Sequence, residues 1–300
     1  MAVRGWQLRP TDPEYPRCLK DSPRPPEVLY GIGDPAALRL GLGVVGSRKA
    51  TPYGLACARR FTGWAARSGI TVVSGGAIGC DQEAHRAALE AAGTTVAVLG
   101  CGADVDYPRG AGALLDEIRR RGACVSELPW GREPTRWAFV ERNRLIAALS
   151  AALLVVEAGL PSGTFSTADF ALEAGREVLA VPGSIFAPGC RGSNRLIRQG
   201  ATPVTDVSEL AAAVADAGLA IAAPSGTAGA ERSSPGASRS LQPPDEVSSR
   251  VLAALLADPM KPDDAARALD LDIVTLIRIL GALEASGAVA RYRDGRYGPC

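Results

Sequence analysis

The sequence between residues 136 and 144 reads RWAFVERNR and combines closely spaced arginines with aromatic side chains. From Arg119 to Arg144 the chain carries seven Arg and three Glu, although its net charge over 300 residues is only +1. Guanidinium groups neutralise phosphates, and a ring such as that of Phe139 can stack on an unpaired base. The pattern predicts a surface for single-stranded nucleic acid, with an ordinary solvated helix face as the alternative.

A second basic segment, GSRKAT from Gly46 to Thr51, lies between a predicted strand and a predicted helix. Glycine permits a tight turn, and the free N–H groups of a helix start attract anions. Arg48 and Lys49 add formal positive charge to this loop. We expect a phosphate site here; the alternative is that Ser47 and Thr51 only cap the helix.

Other glycine-rich or basic loops follow the later predicted strands. They are Ser74–Asp81, Gly100–Pro108, Glu157–Thr164 and the segment beyond Pro182, which has three Arg and no acid between Phe186 and Gly200. Small residues allow backbone amides to approach a ligand closely. The residues expected near phosphate are Ser74, Gly75, Ser162 and Gly163, and Arg195 is expected to contact nucleic acid.

Catalytic alternatives are weaker. Ser74, Asp81 and His85, the chain's single histidine, could form a triad, but Ser74 lacks the G-x-S-x-G context, and a lone helical histidine usually serves packing. A nucleotide hydrolase would need a working carboxylate, for which Glu157 or Asp81 is the candidate. We expect no catalytic residue and no enzyme activity, with a Rossmann-fold hydrolase of small nucleotides as the alternative.

No cofactor or metal is expected. The pattern Gly41-x-Gly43-x-x-Gly46 satisfies G-x-G-x-x-G, but here the predicted strand lies inside the pattern, and no acidic residue follows about 20 positions later to hold a ribose. A P-loop motif is missing as well. Seven Cys without a CxxC spacing and one His make a zinc site improbable, and they favour a reducing cytosol.

Predicted elements alternate between short apolar strands and helices of about 12 residues, such as Tyr53–Ser68 and Asp81–Ala92. Uninterrupted apolar runs are typical of strands buried on both faces. The fold class is therefore α/β, an extended Rossmann-like, doubly wound parallel sheet. The predicted strands are Leu42–Val45, Ile70–Val73, Thr95–Leu99, Ala123–Ser126, Leu153–Val156, Val178–Val181 and a weaker Thr202–Val204.

Four regions are predicted along the chain. Residues 1–40 hold seven Pro and form an irregular lead-in packed on the core, with a possible short strand at residues 28–30. Residues 41–218 form the Rossmann-like domain, and residues 219–244, rich in Pro, Ser, Gly and Ala, form a flexible linker. Residues 245–300 carry three helical segments and a hairpin with Asp294-Gly295 at its turn, which together predict a small winged-helix domain.

The N-terminal sequence has charged residues at positions 4, 9 and 12 and no apolar signal-peptide core. The longest apolar run, Leu145–Leu160, is interrupted by Ser150 and Glu157 and is too short to span a bilayer. We therefore expect a cytoplasmic protein without a membrane partner.

Taken in order, these segments resemble the DNA-processing protein A family (DprA, also called Smf), over about residues 10 to 210. A trailing winged helix is also typical of that family. The matching motifs are Gly46-Ser-Arg48, Ser74-Gly75 with Asp81 and His85, Val98-Leu-Gly100, Asp106-Tyr-Pro108, Ser126-Glu127, Phe139 with Arg142-Asn-Arg144, Val156-Glu-Ala158, Ser162-Gly163, Val181-Pro-Gly183 and Asn194.

The resemblance implies a homodimer that binds single-stranded DNA, protects incoming DNA and loads the RecA recombinase during natural transformation. It implies a DNA pocket at Arg48, Arg136 and Phe139, which Arg142 and Arg144 line or brace. The chain also departs from the family pattern, which usually has leucine, arginine and isoleucine at Gly76, Ile78 and Cys80, lysine at Arg136 and proline at Val140. We expect the amino-terminal helical domain found in many members to be absent or reduced to residues 1–40.

The predicted winged helix is acidic, with nine acids and seven bases from Asp245 to Cys300. Recognition helices that enter a major groove are normally basic, but Ile273–Ser286 offers only Arg278 against Glu284. We favour a protein-contact or autoinhibitory role, with groove reading as the weaker alternative. Wing arginines at 291, 293 and 296 could still touch a DNA backbone.

Overall fold

The computed structural model describes residues 5–222, 246–292 and 294–299, with only the backbone described at residue 246. The chain divides into two compact units, Met1–Ala223 and Pro224–Cys300. Most of the predicted linker, residues 223–245, lies outside the described residues. The remaining four linker residues, 219–222, have no regular secondary structure.

Nine strands of the first unit form one sheet in the order β1-β2-β6-β5-β4-β3-β7-β8-β9. From β3 to β9 every neighbouring pair is parallel, as predicted. The central strands are buried along their whole length, which explains their uninterrupted apolar sequences. The strands are β1 (Gly5–Leu8), β2 (Leu29–Gly33), β3 (Gly41–Val45), β4 (Val72–Ser74), β5 (Thr95–Val98), β6 (Ala123–Ser126), β7 (Ser150–Val155), β8 (Glu177–Ala180) and β9 (Thr202–Pro203).

The prediction of an irregular lead-in over residues 1–40 is wrong in one respect, because this segment extends the sheet. β2 pairs antiparallel with β6, from Tyr30 opposite Ser126 to Gly33 opposite Ala123, and β1 pairs antiparallel with β2. Only three residues of this edge, at 28–30, were predicted as a strand. β1 was missed because Gly5-Trp-Gln-Leu8 is short and half-exposed, so it lacks the apolar run of the buried strands.

Helices cover both faces of the sheet, as a doubly wound fold requires. On one face α2 and α3 bury Phe61 and Ala84 with Val44 and Leu154. The opposite face is covered by α5 and α6, and a third cluster lies under α4. The helices are α1 (Arg17–Lys20), α2 (Pro52–Arg67), α3 (Cys80–Glu90), α4 (Gly112–Arg121), α5 (Arg136–Ala148), α6 (Thr164–Glu173), α7 (Arg191–Arg198) and α8 (Val207–Asp216).

The second unit contains α9 (Glu246–Ala257), α10 (Pro262–Leu269), α11 (Ile273–Ala285), and the strands β10 (Ala290–Arg291) and β11 (Tyr297–Gly298). The strands form an antiparallel hairpin, and Gly295 at its turn has a φ of +84°, which favours glycine. The helices enclose a separate core. The winged-helix prediction is therefore confirmed.

Candidate nucleic-acid interface

An open cleft of about 950 Å³ lies beyond the carboxyl ends of β3 and β7 in the first unit. From β3 the chain adds β4, β5 and β6 on one side, and it then adds β7, β8 and β9 on the other side of β3. The direction in which strands are added therefore reverses between β3 and β7. Ligands of open α/β sheets bind at this kind of switch point. Nine of the sequence-predicted site residues line the cleft: Gly46, Ser47, Arg48, Lys49, Arg136, Phe139, Arg142, Ser162 and Gly163.

The loop between β3 and α2 forms the first wall of the cleft. Thr51 caps α2, since its Oγ1 accepts a hydrogen bond from the Gly54 N–H at 3.2 Å. The Thr51 N–H and Oγ1–H both donate to Glu157 Oε2, at 2.9 and 3.0 Å. Arg48 and Lys49, which follow β3 before this cap, are both exposed. The loop is thus fixed at its end while its two cations face solvent.

Close packing behind the same loop explains Gly46. A Cβ at Gly46 would overlap the buried Cys80 side chain at the start of α3. Ser47 turns its hydroxyl inward along the loop, and its Oγ accepts a hydrogen bond from the Lys49 N–H at 3.1 Å. Both residues therefore shape the loop, and the cations are the groups that it presents.

α5 forms the opposite wall. Its N-cap residue Thr135 accepts a hydrogen bond from the Ala138 N–H at 3.4 Å, and Arg136 is exposed in the first turn. Phe139 lies one turn further on. The Arg48 guanidinium carbon is 5.4 Å from the centre of the Phe139 ring, a cation–π distance. Arg48 and Phe139, 91 positions apart in sequence, thus meet across the cleft.

Tyr107 also contacts Phe139, with ring centroids 5.3 Å apart and a tilt of 33°. The prediction of site residues missed this tyrosine. Tyr107 lies in the loop that follows β5, and the rule that ligands bind beyond strand carboxyl ends was the signal that could have identified it. It supports the ring of Phe139 from the side of β5.

Arg142 lines the cleft but is buried, with 5% of its surface exposed. Its Nη1 donates to the Val98 carbonyl at 3.0 Å, and a Cβ at Gly75 would overlap its guanidinium. Asp81, whose carboxylate accepts from the Gly75 N–H at 3.1 Å, is also buried. Burial lowers the pKa of Arg142, and the negative Asp81 opposes that shift. The side chain braces α5 against β5, one of the two roles expected for it.

Arg144 and Arg195 are not brought into the cleft lining. Arg144 Nη1 donates to the Arg24 carbonyl at 2.7 Å, and its Nη2 forms an ion pair with Glu127. These contacts give Arg144 the bracing role, on the side of α5 that faces the amino-terminal segment. The guanidinium of Arg195 lies 5.7 Å from the centre of the Phe165 ring.

The remaining loop residues have structural roles. Ser74 is fully buried, and its Oγ donates to the Val44 carbonyl at 2.6 Å, which ties β4 to β3. Ser162 Oγ accepts from the Thr164 N–H at 3.2 Å at the start of α6. Nothing lies within 4 Å of the position that a Cβ at Gly163 would take, so the cleft is open there.

The structure does not assemble the imagined hydrolytic triad. The Ser74 hydroxyl is committed to a backbone carbonyl, and His85 Nδ1 lies 2.7 Å from Thr95 Oγ1. Burial, with Arg142 and Arg86 nearby, lowers the pKa of His85 to about 3. His85 is therefore a neutral packing side chain near neutral pH, far from the protonation behaviour of a general base.

The cleft is electropositive. Among the ion pairs of the described residues, none involves Arg48, Lys49 or Arg136, whereas Arg24 beside α5 and Arg144 on it are paired with Glu141 and Glu127. Over the same ranges, no group of three or more His, Cys, Asp or Glu side chains could hold a metal ion. No helix within those ranges is long and apolar enough to cross a membrane.

Comparison with known proteins identifies the fold and the family. The model of the DNA recombination-mediator protein A family matches residues 6–215, and the DprA winged-helix model matches residues 235–295. The chain belongs to the DprA/Smf family. The resemblance noted in the sequence is therefore confirmed, and the wall of the cleft formed by α5 lies within the matched region.

Individual relatives agree. Protein Smf from Synechocystis sp. is 40% identical over 212 residues, which cover 69% of this chain and 53% of that protein. DNA processing protein A from Streptococcus pneumoniae superposes with a TM-score of 0.66 at 35% identity, over 70% of this chain and 74% of that one. The chain spans about half the length of the first curated DprA/Smf relatives it matches.

A second solved structure is that of DNA processing protein A from Helicobacter pylori, which has been described for its mode of binding single-stranded DNA. It superposes with a TM-score of 0.65 at 27% identity and covers 72% of this chain and 97% of that one.

Proposed function

We propose that this DprA/Smf protein is a recombination mediator that binds single-stranded DNA in the cleft between β3 and β7. The observation that carries the proposal is that three exposed cations, Arg48, Lys49 and Arg136, line one cleft together with Phe139, and that Arg48 lies over its ring. Cations along a groove with an aromatic ring are the common features of single-strand binding sites. The single-stranded DNA binding of the Helicobacter pylori relative supports the same assignment.

Each group has a distinct task in this proposal. Arg48, Lys49 and Arg136 contact phosphates, which gives salt-dependent affinity without sequence preference. Arg48 lies over the Phe139 ring in the free protein. When it turns to a phosphate, the ring becomes available to a base, and such stacking contributes about 1–3 kcal/mol. Tyr107 and Arg142 position the ring and the helix that carries it.

For the wider biological role we extend the proposal to what the family resemblance implies. In this proposal the protein acts in the cytoplasm as a homodimer, protects incoming single strands and helps to load the RecA recombinase during natural transformation. It performs no chemistry on the DNA and uses no cofactor.

The hydrolase alternative rests on one observation, the buried Glu157 in the cleft lining. Its Oε2 accepts two hydrogen bonds from Thr51, so this oxygen already serves to fix the loop. A general base must instead reach the proton it removes. We therefore favour the binding function, and incubation with nucleotides under turnover conditions tests the alternative directly.

The proposal is tested by fluorescence anisotropy with labelled oligo-dT and the matching duplex, at low and moderate salt. We expect the wild-type protein to prefer the single strand, and Phe139→Ala to bind it about 5- to 150-fold more weakly, which corresponds to the loss of one stacked base. Phe139→Leu keeps most of the apolar volume but has no π face, so it should bind the single strand nearly as weakly as Phe139→Ala does.

Leu172→Ala is the matched control, because Leu172 is 63% exposed on α6 and does not line the cleft. It should bind like the wild type. Equal affinity for single strand and duplex, or a Phe139→Ala variant that retains full affinity, would contradict the proposed function.

A further inference from the structure

α7 carries three arginines and no acid, and Arg191, Arg195 and Arg198 are all exposed. Their spacing of four and three residues places them on one side of the helix. Within the described part of the chain, none of the three forms an ion pair, in contrast to Arg59, Arg119 and Arg144. We call these three residues the α7 arginine face.

The backbone of α7 is fixed to the edge of the cleft. The Gly192 N–H donates to the Ala158 carbonyl at 2.7 Å, just beyond β7, and a Cβ at Gly192 would overlap backbone oxygens there. Asn194 exchanges two hydrogen bonds with the backbone of Gly183, at 3.1 and 2.9 Å. Glu157 and Gly189, which flank this junction, both line the cleft.

The side chain of Arg195 brings the arginine face to the rim. Its guanidinium lies 5.7 Å from the centre of the Phe165 ring. Phe165 stands between Thr164 and Ser166, which both line the cleft. The cation–π contact thus links one arginine of the face to α6, the helix whose first residues line the cleft.

The loop that leads into α7 exposes an aromatic ring. Phe186 is 87% exposed and Ile185 is 76% exposed, which are the two highest values among the large apolar residues described in the chain. The loop's end at Pro188 and Gly189 lines the cleft. An exposed ring a few residues before three cations without an ion pair offers the same residue types as the cleft, where Arg48 lies over Phe139.

We propose that the α7 arginine face is a second, outer segment of the DNA site, on which a single strand leaving the cleft is held by its phosphates and by a base stacked on Phe186. This inference rests on the proposed function, and it assigns the outer part of the strand's path. The three arginines rise along the helix by about 6 Å and about 4.5 Å. They can therefore contact successive phosphates of an extended strand.

The consequence is a dependence on strand length. We expect a strand of about 4 nucleotides to occupy the cleft alone and one of about 16 nucleotides to reach α7 as well, since the site sizes of single-strand binding folds span about this range. The experiment compares the two lengths of oligo-dT by anisotropy over a series of salt concentrations. The variants are the wild type, the triple variant Arg191→Gln/Arg195→Gln/Arg198→Gln, and Phe186→Ala.

We expect the triple variant to bind the short strand like the wild type and to lose most of the affinity gained with the long strand. Each phosphate contact contributes about 0.7 to the slope of log K against log salt for single strands. The slope for the long strand should therefore fall by about 2 in magnitude. Phe186→Ala should weaken only long-strand binding, about 5- to 150-fold, because one stacked base is lost.

A control with the same change of net charge is Arg9→Gln/Arg17→Gln/Arg120→Gln, whose three arginines are exposed on the first unit and do not line the cleft. An α7 variant that keeps the wild-type slope and length dependence overturns the inference, as does one that loses affinity equally for both lengths or matches the control. If the wild type binds neither strand, the proposed function itself fails. If the wild type binds the short strand but the α7 variant shows no specific loss on the long strand, only the present inference fails.

Discussion

At the scale of single residues, the buried pair Arg142 and Asp81 determines how firmly α5 is held. Burial raises the pKa of Asp81, while Arg142 and the backbone N–H groups of Ala77 and Gly75 favour its charged form. Removing one partner of a buried charge pair leaves the other uncompensated. We predict that Arg142→Leu lowers the free energy of unfolding by about 3 kcal/mol, measured by urea denaturation.

A double-mutant cycle separates this coupling from lost packing. The variant Arg142→Leu/Asp81→Asn removes both charges, so it should be less destabilised than the sum of the two single variants. Strictly additive losses would show that the two charges do not interact.

His85 makes stability depend on pH. Its pKa is lowered to about 3 by burial and by Arg142 and Arg86, whereas an unfolded histidine titrates near 6.5. Between these two values the unfolded chain holds a proton that the folded chain does not, so acid favours unfolding. We predict that His85 contributes a loss of about 1.4 kcal/mol in unfolding free energy per pH unit below pH 6.5.

The measurement is urea denaturation at several pH values for the wild type and His85→Gln, which keeps a polar side chain beside Thr95. The wild-type slope between pH 6 and pH 4 should exceed that of the variant by about one proton. Parallel slopes would place the titration elsewhere in the molecule.

At the scale of elements, Glu157 couples β7 to the start of α2. Because its Oε2 accepts the Thr51 N–H and hydroxyl, it sets where the loop with Arg48 and Lys49 lies. We predict that Glu157→Ala costs about 1 kcal/mol of stability, since it leaves the partly buried Thr51 N–H without its partner, and weakens single-strand binding. Glu157→Gln keeps an acceptor oxygen and should retain most of both.

Thermal unfolding and oligo-dT anisotropy on the same two variants check this prediction. Unchanged DNA affinity in Glu157→Ala would show that the loop does not need its anchor. Nucleotide turnover that appears in the wild type and vanishes in Glu157→Gln would instead support the hydrolase alternative.

Elements of the parallel sheet were predictable, because strands buried on both faces must be apolar throughout. Each predicted strand from Leu42–Val45 to Thr202–Val204 corresponds to an observed one within a few residues. The amino-terminal edge of the sheet was not predictable, because β1 and β2 are partly exposed and are separated by a proline-rich segment. Their place in the sheet depends on contact with β6, which no local pattern encodes.

The same distinction holds for the site. Arg48 follows the end of β3, and Phe139 lies on α5, the helix that leads into β7. The two side chains meet because β3 and β7 are neighbours at the switch point, which is a property of the topology. Arg142 and Arg144 were grouped by their closeness in sequence. Two residues apart on a helix, they point about 200° from each other, so one lines the cleft and the other faces Arg24 and Glu127.

At the scale of the whole molecule, each of the two units has its own core. The cleft and the α7 arginine face both belong to the first unit. We predict that residues 1–223, produced alone, bind oligo-dT within about threefold of the full chain, measured by anisotropy at matched salt. A loss beyond tenfold would show that the second unit contributes to the site.

The second unit has the winged-helix fold of proteins that read the DNA major groove, but it lacks the basic recognition helix that such proteins normally carry. On α11 the exposed side presents Val274 and Ile277 beside a single cation, Arg278. A base-reading contact is worth about 1–3 kcal/mol, so a groove reader would lose at least fivefold in duplex affinity with Arg278→Glu. We predict no change for the full chain, measured by anisotropy on a labelled duplex, because two apolar side chains there cannot neutralise phosphates. We propose that α11 serves protein contacts, and a Val274→Glu variant, expected to leave DNA binding unaltered, is the matched comparison.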